Sequence, residues 1–411
     1  MTLWQQLNES ERIAAIQTVA TEKHIEDRAV EKDWWVTAVL NALFRTACGD
    51  YLLFKGGTSI SKGWPIIERF SEDIDLSLGR KFFLEELGIS YAAAENNTQL
   101  MKLRKASRKF IHGTLSKELT EELTHLGISG FRVSNQTTLP SNEGPKPIDS
   151  DRDPTVITVE YESIFPAYEG DIMPSVKIEI SCLSMSEPFE EKPITSLIHN
   201  RFPELDEELS CTIRTVTPSR TFLEKAFLLN EEFQKNQPRS RRMSRHLYDM
   251  EKLMDTEHGQ KALADSELYS AIVEHRRKYY HLGYVNYDLD YPSAIDFVPK
   301  GGIREAYRRD YNDNMVNGYI YGSAISLDTL IERMEEFVYL YVRKQTEDME
   351  FLYSLINMLA EMSPYLLLGF GIAGLLYAFV PGDFYRNHLS RPGVLSVIKA
   401  ALIPLPRPFV R

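Results

Sequence analysis

A pair of glycines between two short strand-like segments is the feature that most restricts how this chain can fold. The apolar run Tyr51–Phe54 predicts a strand, and Gly56 and Gly57 come shortly after it. The segment Asp73–Leu78 alternates acidic with apolar residues, as a half-buried strand does, and residues 60–70 between them have helical spacing. The sequence therefore predicts a strand–helix–strand unit whose glycine turn lets the backbone approach a ligand closely.

The rest of the chain adds further strands and then a long helical part. Helical spacing covers residues 30–44 and 101–126 and dominates residues 221–342, whereas Thr155–Tyr161 and Ser175–Ser181 are typical of strands. These patterns predict an α+β fold, with a mixed sheet and helices followed by a mainly helical lobe and an apolar tail. We expect the three parts to be residues 1–217, 218–345 and 346–411.

Charge and cysteine content narrow the classes of partner and compartment. The net charge of -12 excludes a general basic coat for nucleic acid, so any such binding must be local. The three cysteines have no zinc-ligand spacing and suit no disulfide framework. Residues 1–22 lack the basic-then-apolar order of an export signal. We therefore predict a cytoplasmic protein.

Two carboxylates on the second predicted strand carry the clearest chemical signal. Asp73 and Asp75 lie two residues apart, so both side chains leave the same face, where hard oxygen ligands can bind divalent metals. The amides of Gly56 and Gly57, with the hydroxyl of Ser59, could hold phosphate oxygens at the start of the next helix. Either piece alone is common on protein surfaces, but their order predicts phosphoryl transfer from a nucleoside triphosphate with two Mg²⁺ ions, or Mn²⁺.

Several motifs together resemble one known family. They are Glu31–Trp35, Phe54–Lys62, Arg69–Leu76, Val176–Ile180, Pro218–Lys225 and Ser244–Asp249. Their order, over roughly residues 10–340, resembles the AbiEii/AbiGii-type nucleotidyltransferase toxins, which include the MenT-like toxins and belong to the DNA polymerase β-like superfamily.

This resemblance implies a polymerase β-like nucleotidyltransferase lobe whose active site is completed by the helical lobe. It implies transfer of a nucleoside monophosphate to an RNA acceptor, in known relatives the 3′ end of tRNA, with growth arrest or abortive infection as the result. It also implies a cognate antitoxin. The implied roles are phosphate binding for Gly57 and Ser59, metal binding for Asp73 and Asp75, and completion of the site for Lys225 and Asp249.

Some site assignments leave alternatives open. Lys62 is a candidate for phosphate contact, and Lys225 is either a phosphate-binding residue or a solvated surface lysine. Glu179 fits a third metal ligand, but it fits equally well as a solvent-facing residue paired with a neighbouring lysine. Asp249 follows a basic run, so it either orients Lys225 or pairs with an arginine.

Three basic clusters could give RNA a positive path, at residues 102–109, 239–245 and 275–278. In the first cluster, Lys102, Lys105 and Lys109 share one helical stripe, for which a solvated face is the alternative. Tyr279 and Tyr280 could stack an unpaired base, although tyrosines in such positions more often belong to a core.

The C-terminal tail has a different character from the rest. Residues 363–380 are uncharged and near membrane-spanning length, and residues 361–406 resemble the start of a bacterial permease. We predict a truncated fusion with membrane affinity, with a buried helix as the alternative. Two other classes of function stay open: a nucleotidyltransferase that modifies a small molecule or protein, and a non-catalytic, membrane-tethered binding module.

Overall fold

A seven-stranded mixed sheet forms the centre of the fold, in the order β3-β6-β7-β2-β1-β9-β8. The computed structural model describes residues 3–141, 144–166, 172–291 and 294–379. The described strands are β1 (Leu52–Lys55), β2 (Asp73–Leu78), β3 (Phe131–Asn135), β4 (Thr138–Leu139), β5 (Lys146–Pro147), β6 (Thr155–Tyr161), β7 (Ser175–Ser181), β8 (Phe189–Ile194) and β9 (Cys211–Val216). The pairs β2–β7 and β1–β9 are parallel, and the other neighbours are antiparallel. This sheet and its helices confirm the predicted α+β class.

Fourteen α-helices are described among these residues. They are α1 (Leu3–Gln6), α2 (Glu9–Lys23), α3 (Asp27–Arg45), α4 (Gly56–Lys62), α5 (Asn97–Phe110), α6 (Ser116–His125), α7 (Leu197–Arg201), α8 (Pro203–Asp206), α9 (Pro218–Phe233), α10 (Ser244–Met254), α11 (Glu257–Ala264), α12 (Ser266–His275), α13 (Gly301–Asp310) and α14 (Leu327–Phe379). A π-helical segment, Ile111–Leu115, joins α5 to α6, as the continuous helical spacing of residues 101–126 predicts.

Helix α3 forms much of the core against the sheet. It contacts β2 and β7, and its side chains are buried on almost every side. Trp35 stacks on Tyr161 of β6 with ring centroids 4.7 Å apart. Trp35 of the Glu31–Trp35 motif is therefore a packing element that holds α3 against the sheet.

The helix predicted at residues 60–70 is wrong in its bounds. Helix α4 begins at Gly56 and ends at Lys62, and the chain then runs without regular structure to β2 apart from an isolated bridge between Arg69 and Ile320. Pro65 explains the early end, because it has no backbone N–H and disfavours a helical conformation in the residue before it.

The compact units of the chain differ from the three predicted parts. One unit comprises Met1–Tyr339 and the other Leu340–Arg411. The predicted boundary near Thr217 falls at the junction of β9 and α9, where Pro218 occupies the first turn of the helix. The first predicted lobe and all but residues 340–345 of the second therefore lie within the first unit, and the separation of the two lobes stays a prediction.

The described part of the second unit is helical as far as Phe379. Large apolar side chains are exposed along it, among them Phe351, Ile356, Leu359, Leu368 and Phe370. Across the residues that the structure describes, no helix combines the length and apolarity needed to cross a membrane. That finding gives no support to the predicted membrane affinity of residues 363–380, whose last residue lies outside the described ranges.

Candidate active site

The glycine turn between β1 and α4 makes room for two side chains of the protein. Gly56 has a φ of +80°, which favours glycine, and a Cβ there would collide with the carboxylate of Asp75. A Cβ at Gly57 would collide with the guanidinium of Arg69. The glycine pair was predicted to admit a ligand, and the structure adds that it admits a carboxylate and a guanidinium at the same turn.

Three charged side chains lie side by side across the centre of the sheet. Lys55 on β1 is directly opposite Asp75 on β2, and Asp75 is directly opposite Glu179 on β7. Asp73 is opposite Lys177 in the same register. The sheet therefore brings together the two predicted metal ligands and the predicted third carboxylate, with a lysine on each side.

The electrostatics of this row fit a bound cation. Burial, and then the neighbouring charge of Glu179, raise the pKa of Asp75 to about 6. Burial also raises the pKa of Asp73. Two half-buried carboxylates whose pKa values are raised mainly by burial would gain from a bound cation, and their hard oxygens suit Mg²⁺. Asp73 and Asp75 therefore fit the metal that the family resemblance implies.

Glu179 makes the contact that one of its two predicted alternatives describes. Its carboxylate forms an ion pair with Lys177 two residues earlier, and both side chains are partly exposed. No group of three or more histidine, cysteine, aspartate or glutamate side chains in the described ranges is arranged to hold a metal. In this structure Glu179 thus follows the alternative of a glutamate paired with a neighbouring lysine, although it lies beside Asp75.

A buried carboxylate joins the glycine turn to the helical part. Asp249 on α10 accepts two hydrogen bonds from Arg69, at 2.6 and 2.7 Å, and its other ion pair, with Lys225 of α9, spans 2.9 Å. The three residues are 0%, 4% and 7% exposed, respectively. Burial opposes ionisation of Asp249, but Arg69 and Lys225 outweigh it and hold its pKa below the ordinary value.

This contact combines the two alternatives for Asp249. The residue orients Lys225 and also pairs with an arginine, but the arginine is Arg69 from the turn before β2, outside the basic run 239–245. The solvated-lysine alternative for Lys225 is wrong, because the side chain is buried beside His246, whose Nδ1 lies 3.4 Å from Nζ.

Two predicted phosphate-binding side chains form contacts with other groups of the protein. Ser59 is fully buried, and its hydroxyl donates to the Gly56 carbonyl at 2.8 Å, so it would have to release this bond to reach a phosphate. Lys62 forms an ion pair of 2.5 Å with Asp33 on α3. Asp33 also accepts from the amide of Leu197, so the Lys62 contact ties α4 to α3 and α7. A phosphate contact would therefore require Lys62 to leave Asp33, and this role stays a prediction.

Three cations near the carboxylates were not assigned from the sequence. Lys55 borders the same cavity as Asp75 and donates to Ser184 Oγ at 2.8 Å. Arg69 contacts Gly57 and Asp249, as described above. Arg245 lies close enough to Asp75 to influence its pKa, and its buried Nε has no hydrogen-bond partner among the described residues. Lys55 and Arg69 stand inside the quoted motifs, whereas Arg245 was grouped with the RNA-binding candidates.

A cavity of about 650 Å³ opens beside the row of charges. Asp75, Glu179 and Lys55 line it, and each predicted basic cluster contributes one arginine, namely Arg104, Arg239 and Arg276. Arg239 and Arg276 already form ion pairs with Glu232 and Glu231. Its volume lies within the usual range of about 300–1,000 Å³ for ligand pockets, so the cavity is large enough for a nucleotide.

The predicted RNA-contacting residues divide into buried and exposed groups. Lys102, Lys105 and Lys109 are exposed along α5, as both the RNA-binding and the solvated-face alternatives require. Tyr279 is buried, with the Arg80 guanidinium 4.3 Å from its ring centre, so it belongs to the core. Tyr280 lines the cavity and stays a candidate for base stacking.

Two of three comparisons with known proteins found a match. A family model described as the nucleotidyl transferase AbiEii toxin of a type IV toxin–antitoxin system matches residues 38–333. Among solved structures, the chain is similar to a candidate nucleotidyltransferase from H. pylori, with 14% identity and a TM-score of 0.40 over 79% of this chain and 98% of that one. A search of curated proteins found no match.

Proposed function

Because the chain belongs to the AbiEii family of nucleotidyltransferase toxins, we propose that it transfers a nucleoside monophosphate from a nucleoside triphosphate to an RNA acceptor, with the 3′ end of tRNA as the leading candidate. The observation that carries this proposal is the row Lys55, Asp75 and Glu179, placed at the wall of a nucleotide-sized cavity. A row of one lysine and two carboxylates, with magnesium bound, can hold a triphosphate and neutralise the charge that develops on its leaving group.

The residues of the site fall into three groups, each with its own role in the proposed reaction. Asp73 and Asp75 would hold magnesium, which supplies charge neutralisation on the phosphates and activation of the acceptor hydroxyl. Lys55 and Arg245 contribute positive charge beside these carboxylates. Lys225, Asp249 and Arg69 act as one buried unit that keeps the glycine turn in register with helices α9 and α10.

The acceptor approaches a site of mixed charge. The cavity wall includes Asp149, Asp151 and Asp153 as well as four arginines, so a polyanion gains little by entering it deeply. We propose that the exposed stripe of Lys102, Lys105 and Lys109 holds the RNA backbone while only the terminal nucleotide enters beside Tyr280. The acidic residues of the wall also favour a second candidate, a small-molecule or protein acceptor.

The family suggests a protein partner in addition to the substrates. Membership of a type IV toxin–antitoxin family leads us to propose a cognate antitoxin that counteracts the growth arrest. Membrane contact through residues 363–380 stays a separate proposal, which partition of the full chain between vesicles and buffer would test.

Labelling identifies the acceptor directly. The full chain is incubated with total RNA, Mg²⁺ and each α-labelled nucleoside triphosphate in turn, and the products are separated by size and by nuclease and protease treatment. Label in nuclease-sensitive tRNA is the expected result. Label in protein or in a small product would favour the second candidate, and no transfer with any nucleotide or acceptor would overturn the proposal.

A further inference from the structure

A second cavity lies apart from the active site, between the N-terminal helices and two loops. It has a volume of about 430 Å³ and shares no lining residue with the cavity beside Asp75. Its walls come from α1, α2, α3, the loop before β3 and the loop after β6. Its volume falls within the range of small-molecule pockets, about 300–1,000 Å³.

Three of the four tryptophans of the chain line this cavity. The rings of Trp4 and Trp34 are tilted by 37° with centroids 5.9 Å apart, and Trp34 meets Trp35 edge-on at 5.3 Å. The indoles therefore border the cavity as rings set at more than one angle. Flat indole surfaces favour a planar ligand, because aromatic groups gain from stacked or edge-to-face contact beyond the area that they bury.

Two hydrogen-bond donors at this cavity have no acceptor within the described ranges. Trp34 is only 4% exposed, and its indole N–H has no partner. The Nε of Arg12 is also buried without a partner. A buried donor without an acceptor costs free energy, so a ligand that brings acceptor atoms to Trp34 and Arg12 would remove that cost.

The charges around the cavity select against anionic ligands. Glu9 and Glu162 are exposed lining residues, and Glu31 lies deeper with both carboxylate oxygens accepting hydrogen bonds, from Ser163 Oγ and the Ile164 amide. Arg12 is the one basic residue among those that line the described cavity. Three carboxylates against one guanidinium disfavour a phosphate group, so the ligand should be uncharged or cationic.

We propose that this tryptophan cavity binds an uncharged, planar nitrogen heterocycle of nucleobase size, as the free base or nucleoside. Such a molecule offers a flat face to the indoles, ring acceptors to Trp34 and Arg12, and amino groups to the acidic residues at the opening. The same chemistry could come from an unpaired base of an RNA, but the acidic opening favours the free molecule over a nucleotide chain. This inference is independent of the reaction at Asp75.

Tryptophan fluorescence of the full chain provides the test. Each common nucleoside is titrated with excitation at the red edge of the indole absorption, beside its 5′-monophosphate and a short single-stranded oligonucleotide. We expect saturable quenching by at least one nucleoside and binding of its monophosphate weaker by about 10-fold, because the carboxylates at this opening repel a phosphate. Preferential binding of the oligonucleotide would assign the base to an RNA source.

Matched variants locate the signal. Trp34→Phe keeps an aromatic ring but removes the N–H donor, and should weaken binding by about 5- to 10-fold, the size of one neutral hydrogen bond. Trp64→Phe is the control, because Trp64 lies outside this cavity and donates to the Val216 carbonyl at 3.0 Å. If Trp34→Phe does not fold, Arg12→Gln tests the second donor. Absence of saturation, equal affinity in Trp34→Phe and the parent, or tight binding of the monophosphate would each overturn the proposal.

Discussion

At the scale of single residues, Asp249 is the point where charged side chains from distant parts of the sequence meet. It accepts two hydrogen bonds from Arg69, 180 residues earlier, and forms an ion pair with Lys225. No local pattern can predict a pair so distant in sequence. The motifs predicted that Lys225 and Asp249 belong to the site, but the partner Arg69 became apparent only from the fold.

Asp249→Asn tests the energetic weight of this cluster. The change leaves Arg69 and Lys225 buried together without a counter-charge, which typically costs about 3–5 kcal/mol of the free energy of unfolding. Urea unfolding measures the loss. Asp288→Asn is the control, because Asp288 pairs with Arg277 at an exposed site and should cost less than about 1 kcal/mol. Equal losses in the two variants would contradict a special role for the buried cluster.

Asp75→Asn tests the carboxylate at the centre of the row. It removes a charge with little change of shape, and we expect nucleotide transfer to fall by at least about 100-fold, because a ligand of the metal that neutralises the developing charge is lost. The melting temperature should stay near that of the parent. Asp50→Asn, at a fully exposed position, is the matched control for transfer. Activity retained in Asp75→Asn would remove Asp75 from the metal-binding pair.

Asp290 gives the folded protein a pH dependence that can be isolated. Burial raises its pKa to about 6, with Glu231 adding to the effect and Asn230, Arg276 and Arg277 opposing it. An aspartate in an unfolded chain has a pKa of about 4, so the folded state binds the proton of Asp290 more tightly than the unfolded state does. Its contribution to stability is therefore greatest below that pH and is lost as the pH rises through about 6.

Asp290→Asn should remove that part of the slope. We expect the parent to lose stability between about pH 4 and pH 7 more steeply than the variant does, by urea unfolding at several pH values. The hydrogen bond from Asn230, at 2.7 Å in the parent, can be kept by the amide oxygen of the variant. Parallel curves for the two proteins would show that Asp290 does not titrate in this range.

At the scale of secondary structure, sequence patterns predicted the elements with clean periodicity. Strands β2, β6 and β7 have the predicted bounds because buried apolar residues alternate along them. Strand β8, Phe189–Ile194, was missed because it lies at the sheet edge and carries two glutamates, a lysine and a proline. This segment forms a strand because it pairs with β9, and that pairing cannot be seen in the sequence of the segment alone.

Gly56→Ala tests the turn between β1 and α4. The positive φ and the collision with Asp75 should together cost about 1–3 kcal/mol and displace the carboxylate, so both stability and transfer should fall. Gly88→Ala is a matched control, because Gly88 also has a positive φ, of +63°, but open space around its Cβ position. Gly88→Ala should lower stability but leave nucleotide transfer unchanged. Normal transfer in Gly56→Ala would mean that the turn does not position Asp75.

At the scale of the whole molecule, the family match and the compact units indicate which part carries the activity. The match ends at residue 333, within the first unit, and the described part of the second unit exposes many large apolar side chains. Exposed apolar patches of this kind promote association between chains. The tail is therefore expected to promote contacts between chains and to lower solubility, while every residue assigned to the reaction lies before it.

A chain that ends at Gln345 should retain transfer within about 2-fold of the parent, because it keeps all of the site and the buried start of α14. It should also remain in solution at higher concentration. Labelling assays and light scattering on the two proteins measure these outcomes. Loss of transfer with an unchanged melting profile would place a functional residue in the tail.

The sharing of Asp249 by Arg69 and Lys225 has a consequence for inheritance. A lineage that lost Arg69 alone would bury Asp249 with only one of its two cationic partners. A lineage that lost Asp249 alone would bury two cations that repel each other. Natural selection should therefore accept changes at these positions only in concert. Recombination that joined the segment around Arg69 from one lineage to the helical segment of another would yield working enzymes only when both parents kept the same set.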